Sequence, residues 1–154
     1  MSKPYNGIIV LLLLVIVGVI YKSIFQGTPL SSSDGRSSIQ LNAGERDFVL
    51  AEMRAFLSSV QKITQGVAED DMKLVAEYAR QAGKAAQGNA PDTLFGKLPM
   101  AFKKMGFDTH TKFDQLAMDA DNLGDGAHTL TQLSNLMQNC VICHETYRVD
   151  ISDK

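Results

Sequence analysis

Apolar positions fall along this chain in two distinct patterns. From Ile8 to Ile20 every residue is apolar or glycine, with Lys3 before the run, Lys22 after it and no charge between Pro4 and Tyr21. Such a run predicts a membrane helix, since roughly 17 to 25 residues cross a bilayer. A cleaved export signal is the rival reading, but Gly27-Thr28-Pro29-Leu30-Ser31 offers no Ala-x-Ala site. Residues 1–25 are therefore expected to be an N-terminal transmembrane anchor with the N-terminus inside. Residues 26–44 are rich in Gly, Pro and Ser. They are expected to form a flexible tether, because that composition cannot bury a core.

From Glu45 onward the spacing becomes helical. Val49, Met53, Phe56, Val60, Ile63 and Val67 alternate steps of four and three, as on a bundle helix. A second helix is expected after Asp70-Asp71, with Leu74, Val75, Tyr78, Ala82 and Ala85 inward, stopped by Gly88-Asn89-Ala90-Pro91. The connection to about residue 107 carries Pro91, Gly96, Pro99 and Gly106, with a short helical piece from Met100 to Met105. Asp108 is expected to cap a third helix that ends at Gly124, with Phe113, Leu116, Ala117 and Ala120 inward. The fourth follows Asp125-Gly126, its inward set being Leu130, Leu133, Met137, Cys140, His144 and Tyr147. The expected fold is all-α: one transmembrane helix, then an antiparallel four-helix bundle over residues 45–154.

Charge removes one class of partner. Beyond residue 40 the chain keeps 12 basic against 16 acidic residues, a net charge of −4. Nucleic acid is not expected as a partner, because phosphate binding needs a basic face. Lys97, Lys103, Lys104 and Lys112 form a local basic cluster that reads as a solvated surface or as a docking patch for an acidic redox partner.

Chemistry is concentrated in five residues. Cys140-Val141-Ile142-Cys143-His144 is the C-x-x-C-H pattern of c-type haem attachment, and it uses both cysteines of the chain. On a helix the two thiols lie one turn apart, spaced to add to two vinyl groups along one porphyrin edge. His144 lies four residues after Cys140 on the same face, where an imidazole can reach iron axially. A thioredoxin-like dithiol is the poorer reading, since no βαβ pattern surrounds the pair. Zinc fares no better, because His110 and His128 are too scattered to complete four ligands. His110 reads as a capping or surface residue and His128 as structural or solvated.

The segment Cys140-Val141-Ile142-Cys143-His144-Glu145-Thr146-Tyr147-Arg148, on the last helix of a four-helix pattern, resembles the cytochrome c′ and c-556 family. The likeness covers about residues 45 to 150. It implies one covalently attached haem c held by Cys140 and Cys143, His144 as the proximal ligand and Arg148 near a propionate. It also implies a distal residue on the first bundle helix, and heptad alignment puts Met53 there; the rival register puts Leu50 there, with Arg46 one turn before. A Met implies six-coordinate iron and electron transfer, whereas a Leu implies an open, five-coordinate haem that binds NO or CO.

These readings combine into one expectation: a membrane-anchored monohaem c-type cytochrome, an electron carrier rather than an enzyme, single-pass in a bacterial inner membrane with its haem domain in the periplasm. Its partners would be redox proteins, and a homodimer is compatible with the pattern.

Overall fold

The helices of this protein begin and end where short polar side chains satisfy loose backbone groups. The structure, a computed structural model, describes residues 3–25 and 27–152. Met1, Ser2, Gln26, Asp153 and Lys154, at the edges of the expected anchor, tether and domain, lie outside the described residues. The architecture is mostly helical, as the periodicity requires: α1 Lys3–Phe25, α2 Ala43–Ala68, α3 Met72–Gln81, α4 Asp92–Lys97, α5 Met100–Leu123 and α6 Gly126–Thr146. Three short strands, β1 Leu30–Ser31, β2 Ser37–Leu41 and β3 Tyr147–Ile151, complete it.

Asn42 opens α2 through a reciprocal capping box with Glu45, a few residues before the expected start at Glu45. Asp71 caps α3, and Asp125 caps α6 by accepting from the amides of Ala127 and His128. Gly124, at φ +60°, closes α5 in the left-handed conformation that glycine adopts without steric cost. Links this short force the joined helices to run antiparallel. Packing then joins α2 to α3, α3 to α5, α5 to α6 and α6 back to α2. Inside that ring lie Ile63, Val75, Ala79, Phe113, Leu116 and Leu136, all fully buried.

Helix boundaries differ from the sequence expectation elsewhere too. The second expected helix, carried on to Gly88, ends at Gln81, and Ala85 is exposed in a separate 3-10 helix, Lys84–Asn89. The piece from Met100 to Met105 and the third helix are one continuous α5, so Asp108 caps nothing; it pairs with Lys112 one turn on instead. Gly106 reads as a break, but a single glycine costs a helix only about 1 kcal/mol, which packing on both sides outweighs. On α6 the buried set is Thr129, Leu133 and Leu136, with Cys140 packed against the same core, while Leu130 and Met137 stay exposed. Both series share Leu133 and Cys140, so periodicity alone does not separate them. Tyr147 lies outside the helix as the first residue of β3.

The expected tether is ordered where it meets the C-terminus. β2 pairs antiparallel with β1 and parallel with β3, Ile39 standing opposite Val149. Ile39 and Leu41 are buried with Val49, Leu94 and Leu98 in a second apolar cluster. Short alternating strands carry few apolar residues, so composition averaged over 26–44 hides them.

The membrane anchor requires correction. Among the described residues no helix is long and apolar enough to cross a membrane. The expected single-pass placement in an inner membrane, with a periplasmic domain, falls with it. Although α1 runs from Lys3 to Phe25, its unbroken apolar stretch is short: at 1.5 Å per residue Ile8 to Ile20 covers about 20 Å, against the roughly 30 Å of a hydrocarbon core.

Candidate functional site

Helix α6 brings Cys140, Cys143 and His144 to the wall of a cleft of about 430 Å³, in the range of ligand pockets. From α2 the facing wall is Leu50, Met53, Arg54, Phe56, Leu57 and Val60; Met105, Gly106, Thr109 and His110 close it from α5. The lining is overwhelmingly apolar. Met53, expected from the sequence as the distal residue, therefore shares one cavity with both thiols and the imidazole. So does Leu50, the residue of the rival register.

Both cysteines are free and half-buried. Burial pushes the Cys140 thiol up, and burial with the neighbouring Cys140 pushes Cys143 up to about 11. Neutral thiols of this kind are poor disulfide-exchange nucleophiles, which disfavours a thioredoxin-like role. Among the described residues no group of three or more His, Cys, Asp or Glu side chains is placed to hold a metal ion, so a zinc centre has no support either.

His110 is buried, not the surface or capping residue that its place near Asp108 implies. Its Nδ1 lies 2.8 Å from the Ala82 carbonyl and its Nε2 lies 3.3 Å from Glu52 Oε1. Burial, the largest single influence, disfavours its charged form, but the Glu52 carboxylate and the carbonyls of Ala82 and Gly83 together raise its pKa. With both nitrogens engaged it forms part of the wall and is no free ligand. Phe56 stacks on Phe113 and meets the His110 ring edge-on, joining the cleft to the main core. His128 is half-exposed, 3.5 Å from Asp119.

Arg148 is not brought to the cleft. From β3 its guanidinium bonds Asp150 Oδ1 at 2.8 Å and reaches Asp34 at 3.3 Å. The basic cluster is also divided: Lys97 holds Glu45 at 2.6 Å and Lys112 holds Asp108 at 2.8 Å.

Sequence reasoning missed several cleft residues, Glu52, Leu57, Phe102 and Thr109 among them. Met105 was assigned to the stretch before the third helix, and Arg54 is polar and so falls outside any apolar series. Asn139, held by Asp108, Thr109 and Lys112, is positioned by contacts some thirty residues away. Compared with known proteins, the chain matches no family model, no curated protein and no solved structure.

Proposed function

We propose that the chain is a monohaem c-type cytochrome that carries single electrons between redox proteins and catalyses no substrate chemistry, with a four-helix ring similar to that of the cytochrome c′ and c-556 family. The observation that carries this reading is the shared cleft: C-x-x-C-H side chains and Met53 line one apolar cavity. Cys140 and Cys143 would hold the haem covalently as thioethers, an addition to its vinyl groups that would oxidise nothing and release no group. His144, with its imidazole, and Met53, with its thioether, would be the side chains that hold the iron. Bound iron supplies a one-electron couple, and a His and Met pair raises its potential. Half-buried Phe56 and Val60 would keep water from the bound group, which favours the less charged reduced state.

The test is retention and spectrum. After expression with a haem-attachment system, pigment stays with the polypeptide on a denaturing gel, and replacing Cys140 and Cys143 by Ser abolishes it. Pigment that extracts into acidified organic solvent from the wild type defeats the proposal. The ferric wild type is low-spin, and Met53→Ala makes it high-spin and open to carbon monoxide. Met105 and Met137 line the same cleft, so Met105→Ala and Met137→Ala serve as controls that leave the spectrum unchanged.

A second reading rests on Leu50, which also lines the cleft. With Leu50 over the iron, the haem is five-coordinate and the protein binds NO or CO. A high-spin wild type selects this reading.

A further inference from the structure

The polar side chains around the cleft are unequally employed. Glu52 meets His110, and Thr109 donates to the Met105 carbonyl at 2.8 Å. Asn139 donates to Asp108 at 2.8 Å and accepts from Lys112 at 3.1 Å. Thiols aside, two cleft-lining polar side chains, Arg54 and His144, have no hydrogen bond or ion pair of their own among the described residues. An uncommitted imidazole in an apolar cavity suits a metal, and an uncommitted guanidinium suits an anion.

Their placement is informative. Leu50, Arg54 and Leu57 follow one another at steps of four and three, so they form one row along α2. Arg54 and Leu57 are exposed, which makes this row the outer lip of the cleft, while half-buried Met53, Phe56 and Val60 form the inner row. A ligand that fills the cavity and meets Arg54 therefore has an apolar body and an anionic group at the mouth. Arg148, the cation that the family resemblance implies for this role, is already neutralised by Asp34 and Asp150.

The geometry points to Arg54 as the residue that binds the carboxylate edge of the cleft's ligand, fixing which way round a porphyrin dicarboxylate sits. This assignment rests on the haem reading above. A guanidinium presents paired donors to a carboxylate, and at an exposed lip the gain is modest.

The experiment uses the full chain with Cys140→Ser and Cys143→Ser, so that porphyrin binding is reversible, and titrates haemin and haemin dimethyl ester by absorbance. Arg54→Gln weakens haemin about tenfold and leaves the ester, which has no carboxylate, unchanged. Arg54→Lys recovers part of the loss, and Arg148→Gln leaves both affinities alone. Equal loss for both porphyrins, loss for neither, or loss on Arg148→Gln alone overturns the assignment while leaving the haem reading intact. Where the serine variant binds too weakly to titrate, the covalently loaded wild type is read in the infrared. There Arg54→Gln shifts the haem carboxylate band and Arg148→Gln does not; the reverse result also overturns it. A wild type that retains no pigment on a denaturing gel removes the haem reading and this assignment together.

Discussion

Gly66 shows how a single position can be fixed by space alone. A Cβ built there would lie 2.8 Å from Val75 Cγ2 and 2.9 Å from the Asp71 carbonyl oxygen. The first contact is a buried side chain and the second is backbone at the α2–α3 turn, so neither retreats cheaply. Gly66→Ala is expected to lower stability by about 1–3 kcal/mol through overpacking, against the small gain that alanine usually brings to a helix. A urea midpoint equal to or above that of the wild type would refute the contact. Nothing in the sequence distinguishes this glycine from Gly106, which lies in a helix with no atom near its missing Cβ. Legibility at this scale follows the range of the interaction. The C-x-x-C-H spacing of Cys140, Cys143 and His144 was readable because it lies within five consecutive residues and needs no distant contact to be recognised. Arg54 and His110 were not, because their roles depend on what distant parts of the chain leave free or place against them.

Elements were legible where one face alone is buried and ambiguous where two series share residues. Helix α2 follows its apolar period, α3 buries Ala76 and Ala79 beside Val75 and ends before Ala85, and α6 rotates by about one residue because burial of Thr129 and Leu136 fits the core while Leu130 and Met137 do not enter it. The sheet was unreadable for a different reason: β2 and β3 are five residues each, and their pairing joins positions more than a hundred residues apart. That pairing bears on the site. From the turn before β2, Arg36 donates Nη1 to the carbonyl of His144 at 3.3 Å, at the end of the helix that carries the motif. A cation there satisfies a terminal carbonyl and opposes the negative end of the helix dipole. Arg36→Ala is expected to cost about 0.5–1 kcal/mol at low salt and less at high salt. The measurement is amide exchange: protection should fall at residues 144–148 and persist in α2 and α3. Uniform loss across the chain would mean that Arg36 supports the whole fold and not the end of α6.

Two buried ionisable groups set how the whole molecule responds to pH. Glu45 joins α2 to α4: buried at the start of α2, it accepts from Lys97 at 2.6 Å, from Thr93 at 2.7 Å and from the Asn42 amide at 2.9 Å. Burial, the largest influence, raises its pKa, but these donors outweigh it and the net effect is a value below the ordinary 4.5. The folded state thus holds this proton less tightly than the unfolded chain does. Its contribution is complete above 4.5 and is lost as pH falls through the lower folded value. His110 acts in the opposite direction. Its pKa is raised above 6.5, so its contribution is complete below 6.5 and is lost as pH rises through the folded value. The thiols of the haem-free chain, both raised from 9.0, add a further loss only in more alkaline solution. Urea midpoints of the haem-free chain should therefore be highest between about pH 4.5 and 6.5 and decline on both sides. Glu45→Gln should flatten the acid limb only in part, because the Asp34, Asp108, Asp119 and Asp150 carboxyls are also held low. His110→Gln should lower the midpoint throughout and make the decline that begins above pH 6.5 shallower, since the contribution of the raised His110 imidazole is gone. A His110→Gln chain that declines above pH 6.5 as steeply as the wild type would show that His110 is neutral in the folded state, with Glu52 and the Ala82 carbonyl unable to hold its second proton.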